Sequence, residues 1–166
     1  MTIPFTINTV YTPATPVKST DLNEIQQSLN GNKHPDKVQG INGSAFFQIS
    51  GTAVTKNFSS ITSAGACVVN YCPVLHQGDR LKKVSLQVSG NGVADITAFD
   101  VYKVTSAGAE VLLGTVAITN PGVPFATFDN DFADYTLVAG DTIRVSLSIN
   151  AANITVGGCL FTYDHP

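Results

Sequence analysis

The chain has 166 residues, 43% of them apolar and 13% charged, with a net charge of −3. That length makes one domain with a proper core, and the composition is not that of a disordered chain. The lysines are scattered, densest at "RLKK" (Arg80, Lys82, Lys83), which argues against the broad positive stripe of a nucleic-acid site.

No apolar run approaches the length of a membrane span, so no membrane insertion is expected. The start, "MTIPFTINTVYTPATPV", lacks the basic n-region and continuous apolar core of a signal peptide, so assembly in a cytoplasm is expected. Residues 1–18 hold Pro4, Pro13 and Pro16, which fix φ and remove backbone donors. The segment reads as an extended arm. Ile3, Phe5, Ile7, Val10 and Tyr11 make it too apolar to lie free in water, so it should pack on its own body or on a partner. The first 17 residues contain no lysine or arginine, so docking would be apolar and through backbone pairing.

Residues 19–31, "STDLNEIQQSLNG", read as a short amphipathic helix. Thr20 or Asp21 can cap it, Asp21 and Glu24 resemble a capping box, and Gly31 suits the left-handed position after its end. A helix this short is marginal alone. Its stripe, Leu22, Ile25 and Leu29, must therefore be covered, by the β-body or by the same helix from neighbouring copies at heptad-like spacing. Residues 32–44 read as a linker rich in turn formers.

From residue 45 to 166 strands recur between turn signals. The candidates are "AFFQISGTAV", "ACVVNYCPVL", "RLKKVSLQVS", "ADITAFDVYKV", "EVLLGTVAIT", a short "FATF", "TIRVSLSI" and "ITVGGCLFTY". Alternation is cleanest at Ile143, Val145, Leu147 and Ile149 against Arg144, Ser146 and Ser148. Alternating strands bury one face and wet the other, so the expected fold is all-β: an antiparallel β-sandwich, jelly-roll-like, with an immunoglobulin-like sandwich second. Two strands carry apolar residues in both phases. Phe99 and Val101 oppose the phase of Ile96 and Tyr102, and Phe161 opposes Leu160. A bulge accounts for this, and so does a second buried face covered by another subunit. Phe99, Val101 and Phe161 are the candidate subunit contacts.

Motifs for chemistry are sparse. Cys72 and His76 are four apart in "CPVLH", and Cys67 could join them, but zinc needs a fourth ligand and His34, His165 and Cys159 form no matched pair. The three cysteines, an odd number, make no disulfide framework, and small buried residues are the ordinary reading for them. "DNDFAD" (Asp129, Asn130, Asp131, Asp134) clusters hard oxygens, but it matches no EF-hand loop, and a polar turn is the plainer reading. Phosphate loops and the hydrolase elbow are absent, and glutamate occurs only at Glu24 and Glu110. No enzyme activity, cofactor or metal is expected. Sugar binding stays open, because Tyr71, Tyr102, Tyr135 and Tyr163 could stack on a glycan, although each also fits a strand position.

"TPVKSTDLNEIQQSLNG" resembles segments of tailed-bacteriophage structural proteins that join an extended N-terminal part to a β-rich body. "LHQGDRLKKVSLQVSGNGVADITAFDVYKV" and the closing "TVGGCLFTY" are similar to distal domains of phage fibres and virion-surface proteins. The resemblance implies a homotrimeric β-sandwich on the virion surface, anchored to the capsid or another virion protein. The short spacer between helix and body fits a capsid decoration or head-fibre protein better than a full-length fibre. The alternative is a tail-associated receptor-binding or lectin-like module that recognises a host-surface glycan.

Overall fold

The computed structural model describes residues 36–90, 96–119, 121–122 and 124–165. The arm (Ile3, Phe5, Ile7, Val10, Tyr11) and the helix stripe (Leu22, Ile25, Leu29) lie outside the described residues.

The described strands are β1 (Lys37–Asn42), β2 (Phe47–Gly51), β3 (Val54–Lys56), β4 (Ile61–Ser63), β5 (Cys67–Tyr71), β6 (Arg80–Ser89), β7 (Ile96–Val104), β8 (Glu110–Ile118), β9 (Ala126–Thr136), β10 (Thr142–Ile149) and β11 (Thr155–Asp164). They form two antiparallel sheets. Five strands run in the order β2-β5-β10-β7-β8; six form the other, β3-β4-β11-β6-β9 with β1 also paired to β11. The all-β, jelly-roll-like sandwich read from the alternation is the fold observed.

The core is the inward phase of each strand. Val84, Leu86 and Val88 of β6 and Val145 and Leu147 of β10 have no exposed surface. Each such side chain stabilises the fold by roughly 1.5–3 kcal/mol relative to leaving it in water. Phe46, Tyr71 and Phe161 stack within this core at centroid distances of 5.8 and 6.0 Å.

Phe99, Val101 and Phe161 belong to the same core, each 0% exposed. A side chain with no surface in a single copy leaves a neighbour nothing to cover, so their expected subunit contact is corrected. The bulge explains the phase conflict. The β7–β8 register shifts between Ile96 and Phe99 and again between Val101 and Tyr102, so one strand presents apolar residues from both phases to one core. In β11 a shift between Val156 and Gly158 brings Cys159 and Phe161 inward together.

Two further expectations change. Residues 37–42, read within the linker, form β1 and pair with β11 from Lys37↔Tyr163 to Asn42↔Gly158. The sandwich thus begins earlier than residue 45. "DNDFAD" is no turn, because β9 runs straight through it. Phe128, Asn130 and Phe132 point inward there, and a polar residue in an inward slot hides the period from sequence inspection. Asn130 is fully buried, and its Nδ2 donates to the Phe99 carbonyl at 2.7 Å, tying the two sheets together. Gly114 on β8 makes room for it. A Cβ at that position would stand 2.4 Å from Asn130 Oδ1.

Candidate functional site

The two outward faces of the sandwich carry different chemistry. On the six-stranded sheet the outward side of β6, β9 and β11 carries a cluster of paired charges. Asp164 takes a two-pronged bond from Arg80, Nε to Oδ1 at 2.9 Å and Nη2 to Oδ2 at 2.5 Å, and Lys82 Nζ lies 3.0 Å from Oδ2. These two cations hold its carboxyl well below the usual carboxylate range, with Arg80 the larger cause. Lys83 binds Asp129 at 3.0 Å, and Asp134 faces Arg80 at 3.7 Å. Ser85 and Lys83 together lower the Asp129 carboxyl. The "DNDFAD" carboxylates therefore face basic residues instead of converging on a cation. Among the described residues no group of three or more His, Cys, Asp or Glu is placed to hold a metal.

The outward face of the five-stranded sheet is built differently. Paired residues in an antiparallel ladder project to the same side, so the registers give the face directly. One row crosses all five strands: Phe47 of β2, Asn70 of β5, Ser146 of β10, Asp100 of β7 and Thr115 of β8. A second row sets Arg144 beside Tyr102 and Tyr102 beside Leu112. With strands spaced about 4.8 Å apart, the five-residue row spans about 19 Å. That is room for a short oligosaccharide-sized ligand, not just one small ring.

These side chains are held in one network. The Arg144 guanidinium lies over the Tyr102 ring, 4.6 Å from its centroid, and Nη2 donates to Glu110 Oε2 at 2.5 Å. The Asn70 amide, oriented to satisfy both of its ends, accepts from Arg144 Nη1 at 2.9 Å and donates to Ser146 Oγ at 2.8 Å and to the Val69 carbonyl at 3.0 Å. Tyr102 donates its hydroxyl proton to Asp100 Oδ2 at 3.0 Å. Burial first, and the Asp100 carboxylate second, push that hydroxyl upward in pKa, so it stays a donor at neutral pH. Asn70 and Ser146 sit low in the face, while Phe47 and Leu112 keep 43% and 48% of their surface exposed at its two edges.

Of the four tyrosines singled out in the sequence, the structure selects one for this face. Tyr71 turns inward against Phe46 and Phe161, and Tyr163 packs on the core. Tyr135 lies beneath Lys103 and is bonded to Asp141; burial and that bond push its hydroxyl up to about 12. Tyr102 remains on the outer face of the five-stranded sheet. Phe47 was missed, though "FF" signals it: in a strand two adjacent phenylalanines must point to opposite sides, and Phe46 takes the core.

The remaining candidates serve other ends. Cys67 and Cys159 are buried, and burial pushes the Cys159 thiol far up, as expected for an inert packing residue. Cys72 is exposed. His76 does not pair with it; its backbone N–H donates to Asp79 Oδ2 at 2.8 Å, and His165 Nδ1 lies 3.2 Å from Asp79 Oδ1.

No family model and no curated protein matches the chain. Solved structures do. The CBM22-1 xylan-binding domain from Paenibacillus barcinonensis Xyn10C superposes with a TM-score of 0.51 at 12% identity, over 76% of this chain and 94% of that one. A family 6 carbohydrate-binding module from Clostridium cellulolyticum, solved in complex with xylose, gives 0.50 at 14% identity, over 74% and 95%. A further family 6 module gives 0.50 at 16% identity, over 74% and 92%. At such identities the likeness is one of fold: this chain is similar to carbohydrate-binding modules in its two-sheet, jelly-roll-like sandwich.

Proposed function

We propose that the sandwich is a non-catalytic glycan-recognition module and that the outer face of its five-stranded sheet is the binding face. The observation that carries this reading is the row Phe47–Asn70–Ser146–Asp100–Thr115, with Tyr102 and Arg144 beside it. Sugars combine apolar C–H faces with a rim of hydroxyls. A partly exposed phenylalanine next to pre-positioned amide, hydroxyl and carboxylate groups suits both, in the pattern of a few fixed polar groups among apolar contacts. The fold shared with carbohydrate-binding modules supports the same reading.

The setting proposed for the module is the surface of a tailed-phage virion, assembled in the host cytoplasm. There the arm (Ile3, Phe5, Ile7, Val10, Tyr11) would attach it to the capsid or another virion protein, and the stripe Leu22, Ile25 and Leu29 would bring three copies together. The support for this setting is the sequence resemblance of the N-terminal segment.

A glycan array probed with the full chain, followed by calorimetry on the best oligosaccharide, tests the binding face. Phe47→Ala is expected to weaken binding about tenfold or more without lowering the unfolding midpoint, as loss of an exposed anchor should. Absence of binding to any glycan removes the reading. Deleting residues 1–31 and measuring solution mass tests the setting, since a wild-type monomer at micromolar concentration overturns the trimer.

A further inference from the structure

The electrostatics of the same face specify the class of glycan, an inference that rests on the binding face just described. Arg144 is the single cation in its two rows, and it is committed inward. Nη1 serves Asn70, Nη2 serves Glu110, the guanidinium plane covers Tyr102, and Nε is buried without a partner among the described residues. Asn70 likewise uses its amide hydrogens on Val69 and Ser146. The carboxylates are more open to a ligand. Glu110 keeps 46% of its side chain exposed, and Asp100 receives the Tyr102 proton on Oδ2 alone among the bonds described. Arg144 contributes +1 against −1 each from Asp100 and Glu110, a net of −1. The donors of Arg144 and Asn70 are thus committed within the face, while the Asp100 and Glu110 carboxylates keep acceptor capacity for a ligand.

We infer that this face takes an uncharged oligosaccharide, whose hydroxyls donate to Asp100 and Glu110, and rejects uronic, sialylated or sulfated glycans. An anionic sugar would meet like charge and find the guanidinium occupied, whereas each hydroxyl of a neutral sugar is a donor in search of an acceptor. Arg144 then acts as a positioning residue that fixes Tyr102 and Asn70, not as an anion hook.

The test titrates the full chain with uncharged probes (xylohexaose, cellohexaose, mannohexaose) and anionic ones (hexagalacturonate, sialyllactose), using wild type, Phe47→Ala and the double variant Asp100→Asn with Glu110→Gln. The wild type is expected to bind at least one uncharged probe about tenfold or more tightly than either anionic probe. The double variant, whose face carries a net charge of +1, is expected to narrow that ratio about tenfold. If the wild type binds an anionic probe as tightly as the uncharged ones, and Phe47→Ala abolishes that binding, the ligand class is wrong while the face stands. If no probe of either class binds at millimolar concentration, or if binding is indifferent to Phe47→Ala, the face itself is wrong and the inference falls with it.

Discussion

The outer faces of the two sheets are made by the same alternation and differ in what they do with charge. On the six-stranded sheet, Arg80, Lys82 and Lys83 face Asp164, Asp134 and Asp129 in local pairs, and no tyrosine stands among them. That arrangement cancels charge and keeps the face wet. On the five-stranded sheet a single arginine organises Asn70, Glu110 and Tyr102, while an acid and two apolar edge residues are left facing outward. Hydrogen-bonding groups held in place before a ligand arrives make the second face a better candidate for recognition, because ordering them on binding would cost affinity.

The largest expected effect breaks both faces together. Phe99→Ala removes a fully buried ring from the core they share and should cost about 3–5 kcal/mol in chemical denaturation. A much smaller loss, or one that depends on protein concentration, would return Phe99 to a subunit interface. Next comes Arg144→Met, which leaves Asn70 and Glu110 without their shared donor. It should cost about 1–3 kcal/mol and weaken glycan binding, whereas Lys83→Ala on the opposite face should leave binding unchanged. Binding that responds equally to both changes would erase the distinction between the faces.

Acid separates the faces further. The Asp164 carboxyl is held below its ordinary value, so its contribution is present above the unfolded value of about 4 and is lost as pH falls through the folded one. Thermal melts should therefore show Asp164→Asn less stable than wild type at neutral pH, with the gap closing below about pH 4. A gap that stays constant with pH would mean the Arg80 and Lys82 contacts contribute nothing through charge. The smallest effect belongs to the exposed Lys83–Asp129 pair. Replacing either partner with alanine should change stability by about 0.2–1 kcal/mol, less at high salt.

Much of the sandwich was legible because burial imposed a period of two. β6 and β10 have the bounds their sequences suggest, and Val84, Leu86, Val145 and Leu147 point where alternation places them. What could not be read had local physical causes. β7 and β11 shift register, so Phe99, Val101 and Phe161 looked like a second apolar face when they belong to one core. β9 hides behind Asn130, whose burial depends on the Phe99 carbonyl across the sandwich, a partner far away in sequence. β1 lacked apolar alternation because its partner β11 supplies the pairing. The candidate face was legible only in fragments. Arg144 could be seen as an outward residue and Tyr102 as a ring able to stack on a sugar, but their adjacency follows from the β7–β10 register, which a single sequence does not contain.

The pairing of the first described strand with the last has a mechanical consequence. Lys37 lies opposite Tyr163, so the leading end of β1 and the trailing end of β11 meet at one end of the same ladder. Tension drawn between those two ends would peel the strands apart one residue pair at a time, in zipper fashion, instead of shearing the whole ladder at once. Under such a pull β1 is the first part of the sandwich to yield, ahead of the strands that carry the outer face of the opposite sheet.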